Sequence, residues 1–271
     1  RLRRRSLARL RQEVEPVDPE VLGRFLPSWQ HVIGSSPRAG LRGLDGVVSA
    51  VEQLAGAPVP ASAWETLVLP SRVRDYEPAM LDELMASGEV LWAGHGALPG
   101  SDGWISLHLA EGAELTLPPP RVEAEVGSLT DALLDVLAPG GGWFFRQLVD
   151  QVGLTAPTPP DEASVAAALW ELSWSSVITG DTFAPVRALV GTGPSAHRAP
   201  RAPARSRRPA RQRLPARLSG GRLPPRSAPP QVIGRWSMLP GVEADPTRRA
   251  HALAELLLDR HGVVTRGAVS C

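Results

Sequence analysis

The stretch VLWAGHGALPGSDGWISL, residues 90–107, decides the fold. Its glycines Gly94, Gly96, Gly100 and Gly103 lie between two apolar runs, each with a tryptophan, Trp92 and Trp104. Glycines after a strand either cradle a phosphate or turn the strand back on the next one. A dinucleotide fingerprint needs GxGxxG at the opening of a helix. Here the spacing is GxGxxxG, and the run that follows alternates, with Ile105, Leu107 and Leu109 set against Ser106 and His108. Period-two alternation is the mark of a strand with one buried face. The stretch therefore reads as an antiparallel hairpin, a wing, with Trp104, Ser106 and His108 on its outward face.

Three helical patterns precede the hairpin. GLDGVVSAVEQLAG, residues 43–56, places Leu44, Val47, Val48, Val51 and Leu54 at helical spacing, with Asp45 as a candidate cap and Gly56 as a stop. PASAWETLVLP, residues 60–70, predicts a short helix with Trp64, Leu67 and Val68 on one side. EPAMLDELMASG, residues 77–88, predicts a third, with Pro78 in its first turn and Met80, Leu81, Leu84 and Met85 as its apolar face. Three helices and a hairpin make a winged helix, a relative of the helix-turn-helix.

Residues 127–190 repeat this order. SLTDALLDVLAPGG, GWFFRQLVDQVG and DEASVAAALWELSWSS read as three helices, with Ser128 as a cap for the first. VITGDTFAPVRAL reads as a second hairpin turning at Gly180-Asp181. An internal repeat of one small module is the economical reading. A further unit opens at DPTRRAHALAELLLDRHGVVTRGAV, where Asp245 and Pro246 start a helix with Ala250, Leu253, Leu256 and Leu257 on one face. The expected fold class is α+β, mostly α, with tandem winged-helix modules joined by a disordered arginine- and proline-rich linker. The expected domains are a helical lead-in at 1–40, a winged helix at 41–117, a second at 118–192, the linker at 193–235, and the start of a third, truncated winged helix at 236–271.

The charge is segregated. The whole chain carries a formal +1 from 29 basic and 28 acidic side chains. Residues 198–226 hold ten arginines and no acid, so the remainder carries −9. That segment is rich in proline and poor in large apolar residues, which suits a solvated spacer. Its arginines also suit sequence-independent phosphate contact. The lead-in RLRRRSLARLRQEVE is either a solvated face or part of the same basic track.

Several chemistries are excluded. The chain has no lysine, so it has no Walker A loop and no Schiff-base site. It has no GxSxG elbow. Its single cysteine, Cys271, allows no disulfide framework, which points to a reducing, cytoplasmic setting. No apolar run reaches membrane-spanning length, so no membrane partner is expected. His95 and His108 have no ligand spacing for a metal. The lack of an initiator methionine suggests a piece of a longer protein.

Several long strings resemble the large helicase-related (Lhr) proteins of bacteria. They are RRRSLARLRQEVEPV, RFLPSWQ, GLDGVVSAVEQLAGAPVPAS, RVRDYEPAMLDELMASGEVLWAG, GSDGWISLHLA, ALWELSWSSVITGDTFAPVRAL and DPTRRAHALAELLLDRHGVVTRGAV. The resemblance covers nearly everything except the arginine-proline segment. It implies part of the C-terminal winged-helix extension, downstream of an ATP-driven 3′-to-5′ translocase on single-stranded DNA linked to DNA repair. ATP and Mg are implied for that upstream core, not for any residue here, since no ATPase motif is present. A β-barrel and any glycosylase-type residue are expected beyond Cys271. The implied partners are DNA, single-stranded or as a tailed duplex, the rest of the Lhr chain, and a second copy of it in a homo-oligomer. The implied location is the nucleoid-associated cytoplasm.

A winged helix usually presents its third helix to the major groove. Here that helix carries Glu77, Asp82 and Glu83 outward, and its counterpart carries Ala166, Ala167, Trp170 and Glu171. Carboxylates repel a phosphate channel. The candidate nucleic-acid contacts are therefore Arg72, Arg74 and Tyr76 in the turn SRVRDY, Trp104 and His108 on the wing, and Arg205, Arg207, Arg208, Arg211 and Arg213 in the basic segment. Each has a plainer reading. Arg72 and Arg74 could pair with Asp75 or Glu77, and Trp104 could close its own module. Trp29, Trp92, Trp143, Trp170 and Trp174 sit in apolar patterns and read as packing residues. Two functions stay open: a DNA-binding accessory array of a helicase, and a structural or oligomer-forming scaffold that touches DNA little.

Overall fold

The computed structural model describes residues 18–32, 40–121, 128–155, 158–191 and 229–270. The basic lead-in at 1–17 and all ten arginines of 198–226 lie outside the described residues.

The first unit runs α1 (Pro19–Trp29), α2 (Gly43–Leu54), β1 (Val59–Pro60), α3 (Ala61–Ala63), α4 (Pro78–Ala86), β2 (Val90–Leu98) and β3 (Asp102–Leu109). The sheet order is β1-β3-β2, with both pairings antiparallel. The register sets Trp92 opposite Leu107 and Gly94 opposite Ile105, so the apolar residues of both strands share one face. That face meets Val47, Ala50, Val51 and Leu54 of α2 and Leu81, Leu84 and Met85 of α4, all buried. Each of the valine, leucine and methionine side chains among them, fully buried, contributes about 1.5–3 kcal/mol. The opening stretch is therefore a wing, as its alternation requires.

Local details depart from helical spacing. Gly43, at the start of α2, donates its N–H to Asp75 Oδ1 at 2.9 Å, and the cap position is Arg42, with Asp45 inside the first turn. After α3 the chain forms a π-helical turn, Trp64–Val68, closed by the Leu69 N–H on the Trp64 carbonyl at 2.9 Å. The wider turn puts Trp64 and Leu69 inside and leaves Leu67 57% exposed, so Leu67 does not join Trp64 on one face. β1 is only two residues long and contains a proline, which an edge strand tolerates.

The second unit runs α6 (Leu129–Leu137), β4 (Trp143–Phe144), α7 (Phe145–Thr155), α8 (Glu162–Trp174), β5 (Ile178–Gly180), α9 (Ala184–Gly191), a 3₁₀ turn (Pro230–Val232) and β6 (Arg235–Met238). Between the units lies the short helix α5 (Ala113–Thr116). Ser128 caps α6 by accepting the Asp131 N–H at 3.1 Å. The sheet order is β4-β6-β5. This matches β1-β3-β2 element for element, so the internal repeat holds at the level of topology.

The expected hairpin at 177–189 is corrected. After β5 the chain turns into α9, where Pro185 and Val186 are buried at helical positions. The strand that pairs with β5 is β6, with Gly180 opposite Trp236 and Thr179 opposite Ser237. The other edge of β6 pairs with β4, Trp143 opposite Trp236. The arginine-proline segment is thus an insertion between two paired strands of one sheet. It does not separate the second unit from the next, and Arg235–Met238 lies across the boundary expected at 235/236.

The two units share one hydrophobic core. Trp92 of β2, Trp170 of α8 and Trp236 of β6 meet pairwise with ring centroids 5.7–6.2 Å apart. Trp174 adds to Trp170 at 5.2 Å. Around this cluster Arg187 of α9 binds Glu65 at 2.6 Å and Asp82 at 3.2 Å, and Asp82 accepts the Phe183 N–H at 2.8 Å. The wing must come close for this. A Cβ on Gly94 would lie 2.3 Å from the Ser173 carbonyl oxygen and 2.8 Å from Trp174 Cα.

The next helices are α10 (Pro246–His261) and α11 (Arg266–Ser270). Asp245 caps α10 through the Thr247 N–H at 2.8 Å, as the sequence suggests. α10 rests on the first unit: Arg260 donates to the Ala55 carbonyl at 2.6 Å and Arg249 to the Leu117 carbonyl at 2.8 Å. Of its expected apolar face, Leu257 is buried and Leu253 is 55% exposed.

Gly94→Ala tests the closeness of the junction. The added methyl meets backbone, which cannot rotate away, and overpacking of this kind costs about 1–3 kcal/mol. Denaturant unfolding should show that loss. Gly23→Ala on α1, where nothing lies within 4 Å, should show none. A Gly94→Ala chain as stable as the parent contradicts the junction.

Candidate nucleic-acid interface

Trp104 is a candidate that stays exposed on the wing. It lies on β3 opposite Pro60 and is 39% exposed. The strand beneath it is fixed by Asp102, whose buried carboxylate accepts from the Ser62 hydroxyl at 2.6 Å and the Ser62 N–H at 3.2 Å.

His108 is corrected. It and Ser106 share the outward face of the hairpin with Trp104, yet both are fully buried. That face is covered by residues 113–117 and by Leu239 and Val242, which pack on Leu91 and Ala93. Alternation marks one buried face, whereas this sheet has apolar cover on both sides. Beneath the cover lies a polar chain. His95 Nε2 meets Ser106 Oγ at 2.6 Å, Ser106 Oγ meets His108 Nε2 at 2.7 Å, and His108 Nδ1 meets Thr116 Oγ1 at 2.8 Å. Burial pushes His95 down to about 4, helped by the positive charge of Arg121. Burial pushes His108 down to about 3, helped by His95. Both are neutral at pH 7. Ser106 has no access to a substrate, so this chain of groups binds the wing together rather than performing catalysis.

Arg72 and Tyr76 are also placed inward. Arg72 donates to the Val68 carbonyl at 3.1 Å, to Ser71 Oγ at 3.2 Å and to Gln30 Oε1 at 2.9 Å, and burial lowers its pKa. Its partners are not Asp75 or Glu77. Tyr76 donates to Glu65 Oε1 at 2.9 Å, and burial with the Glu65 charge raises its pKa. Arg74 is exposed and its N–H bonds the Leu41 carbonyl at 3.0 Å. The turn 71–76 thus docks the second helix region on its neighbours. Arg205, Arg207, Arg208, Arg211 and Arg213 lie outside the described residues.

The third helices are occupied. Asp82 of α4 and Trp170 of α8 point into the junction between units, while Glu77 and Glu83 stay exposed. Neither helix offers a basic face to a groove.

One surface was missed by sequence reasoning. A cleft of about 520 Å³ opens where the wing meets α8, lined by His95, Arg121, Ala167, Trp170, Glu171 and Trp174. The Arg121 backbone is fixed there, its N–H donating to the Ser175 carbonyl at 2.9 Å. The spacing 167, 170, 171, 174 marks one helical face, but Arg121 and His95 join it only through the fold. No group of three or more metal-ligating side chains gathers among the described residues. Nor is any helix among them long and apolar enough to cross a membrane.

Helices packed on small three-stranded antiparallel sheets, one of them closed by the first hairpin, define a winged-helix class of protein. Two models of the large helicase-related protein winged-helix domain match, one at residues 17–110 and the other at 243–271. Over 99% of its length the chain is 53% identical to a Lhr helicase/probable uracil glycosylase of Mycolicibacterium smegmatis, spanning 17% of that protein. Over 99% it is also 38% identical to a Lhr helicase/uracil glycosylase of Escherichia coli, spanning 18% of it. The chain belongs to the large helicase-related family, in its winged-helix region.

The buried histidines make stability pH-dependent. Unfolded, each titrates near its ordinary value of 6.5, whereas folded they stay neutral down to about 4 and about 3. The unfolded chain therefore binds more protons in that window. This contribution is complete above about pH 6.5 and is lost as pH falls toward the folded values. His108→Asn should flatten the fall in melting temperature between neutral and mildly acid pH. An unchanged slope refutes the neutral buried pair.

Proposed function

We propose that this region is a nucleic-acid-binding accessory array of an Lhr-type helicase acting on DNA in repair, and that it touches the strand through its wings rather than its third helices. The observation that carries this is the placement of the third helices. Their polar faces are acidic or are spent on the junction between units. What remains outward on the first wing is Trp104. In the second unit the wing position, between β5 and β6, is where the sequence inserts its ten arginines. An aromatic side chain can stack on an unpaired base, and arginines neutralise phosphates. The relatives are named helicases, and since these 271 residues carry no ATPase motif the reading places any ATP-driven step outside them. The scaffold reading is favoured by the same junction, which joins winged helices to each other.

Two variants separate the readings. Trp104→Ala should leave the fold intact and weaken single-strand binding by about 1–3 kcal/mol, with a much smaller effect on duplex. Replacing the arginines of 198–226 by serine should flatten the dependence of affinity on salt. Unchanged single-strand affinity and an unchanged salt slope leave the scaffold.

A further inference from the structure

We propose that the cleft between the first wing and α8 holds one unpaired nucleotide of a DNA strand, with its phosphate on Arg121, its base against Trp174, and a preference, set by Glu171, for bases bearing an exocyclic amino group. This rests on the nucleic-acid reading above and names a site within it.

The cleft has the size for one nucleotide unit. Its volume of about 520 Å³ falls within the range of small-molecule pockets. It is also preorganised. The Trp174 ring lies against the backbone of β3 at Gly103, where a Cβ would come 2.4 Å from ring carbons, and beside Trp170 at 5.2 Å. An indole held on these sides loses little freedom when a base comes against its remaining surface. On the opposite wall the hairpin register shifts between Gly94 and Ala97. A bulge of this kind re-aims a side chain. Here the side chain is His95, and its bond to Ser106 fixes the ring. The wall it forms is polar and uncharged at pH 7.

The two charges in the cleft have different tasks. Arg121 is exposed, and its guanidinium offers a planar set of donors suited to a phosphate. Glu171 is exposed on α8, one turn before Ser175, whose carbonyl holds the Arg121 backbone. A carboxylate only accepts hydrogen bonds. Cytosine, adenine and guanine each offer it an amino donor, whereas thymine turns carbonyl oxygens outward on either side of its single N–H. Thymine is therefore disfavoured by repulsion and not merely by a missing contact.

The test uses the whole 271-residue chain. Its affinity is measured by fluorescence anisotropy at fixed salt for short oligodeoxycytidylate and oligothymidylate of equal length, so that the phosphate contribution is the same. The cytidylate strand should bind tighter by roughly tenfold, the worth of one good base contact. Glu171→Gln should remove that preference. Arg121→Ala should weaken both strands by a similar factor. Both side chains are exposed, and unchanged melting confirms the fold. Equal binding of the two strands, unaltered by either variant, overturns the cleft as the site and leaves the wing reading standing. Binding of neither strand overturns both. Free deoxycytidine monophosphate should not displace the strand at matched concentration. Displacement would assign the cleft to a free nucleotide and overturn the strand.

Discussion

The structure depends on the contact between Trp92 and the pair Trp170 and Trp236. Trp92 comes from the wing of one unit, and its partners come from the third helix and the last strand of the other. A small winged helix exposes much of its surface, and below about 60–80 residues a single core is marginal. Here the apolar face of the first hairpin packs into one core shared by both units. Trp92 is fully buried, yet its indole N–H has no partner among the described residues. An orphan donor of that kind costs about 1–3 kcal/mol. Burying a tryptophan against three elements offsets it. The surrounding Arg187, Glu65 and Asp82 then orient one unit on the other.

That constraint explains the inverted use of the winged-helix parts. The third helix of the second unit packs Trp170 against Trp92, and the third helix of the first unit gives Asp82 to Phe183 and Arg187, so neither presents a basic face for the role such a helix commonly plays on DNA. The glycines of the opening stretch follow from the same cause. Gly94 and Gly103 give room for Ser173 and Trp174 to approach, which is a packing need and not a phosphate-binding one. The cleft at His95, Arg121 and Trp174 is the outer rim of this junction. It exists only when the two units are held together.

Much of the fold could be read from the sequence where periodicity is long. α2, α4, α6, α8 and α10 and the first hairpin follow from spacing and caps such as Ser128 and Asp245. What could not be read has specific causes. β1 and β4 are two residues each, too short for any alternation. β6 lies past an insertion longer than the rest of its wing, so nothing local tied RWSM to β5. The π-helical turn shifts the burial of Leu67 off the 3.6-residue period. The candidate site was less legible. Alternation points to Trp104, which stays exposed. His108, on the same face, is buried by cover from residues 113–117 and 239–242, which no local pattern ties to the wing. Arg72 and Tyr76 have the composition of a contact and the partners of a core. Arg121 and Glu171 meet only through tertiary structure.

The central claim is that the two units fold and open as one body around Trp92. Native-state hydrogen exchange measures this directly. The slowest amides of the first hairpin, such as Leu107, and those of the second unit, such as Leu169 and Trp236, should share one opening free energy. They should also fall together as denaturant is added. Two separate plateaus, with one unit opening while the other stays protected, would contradict it.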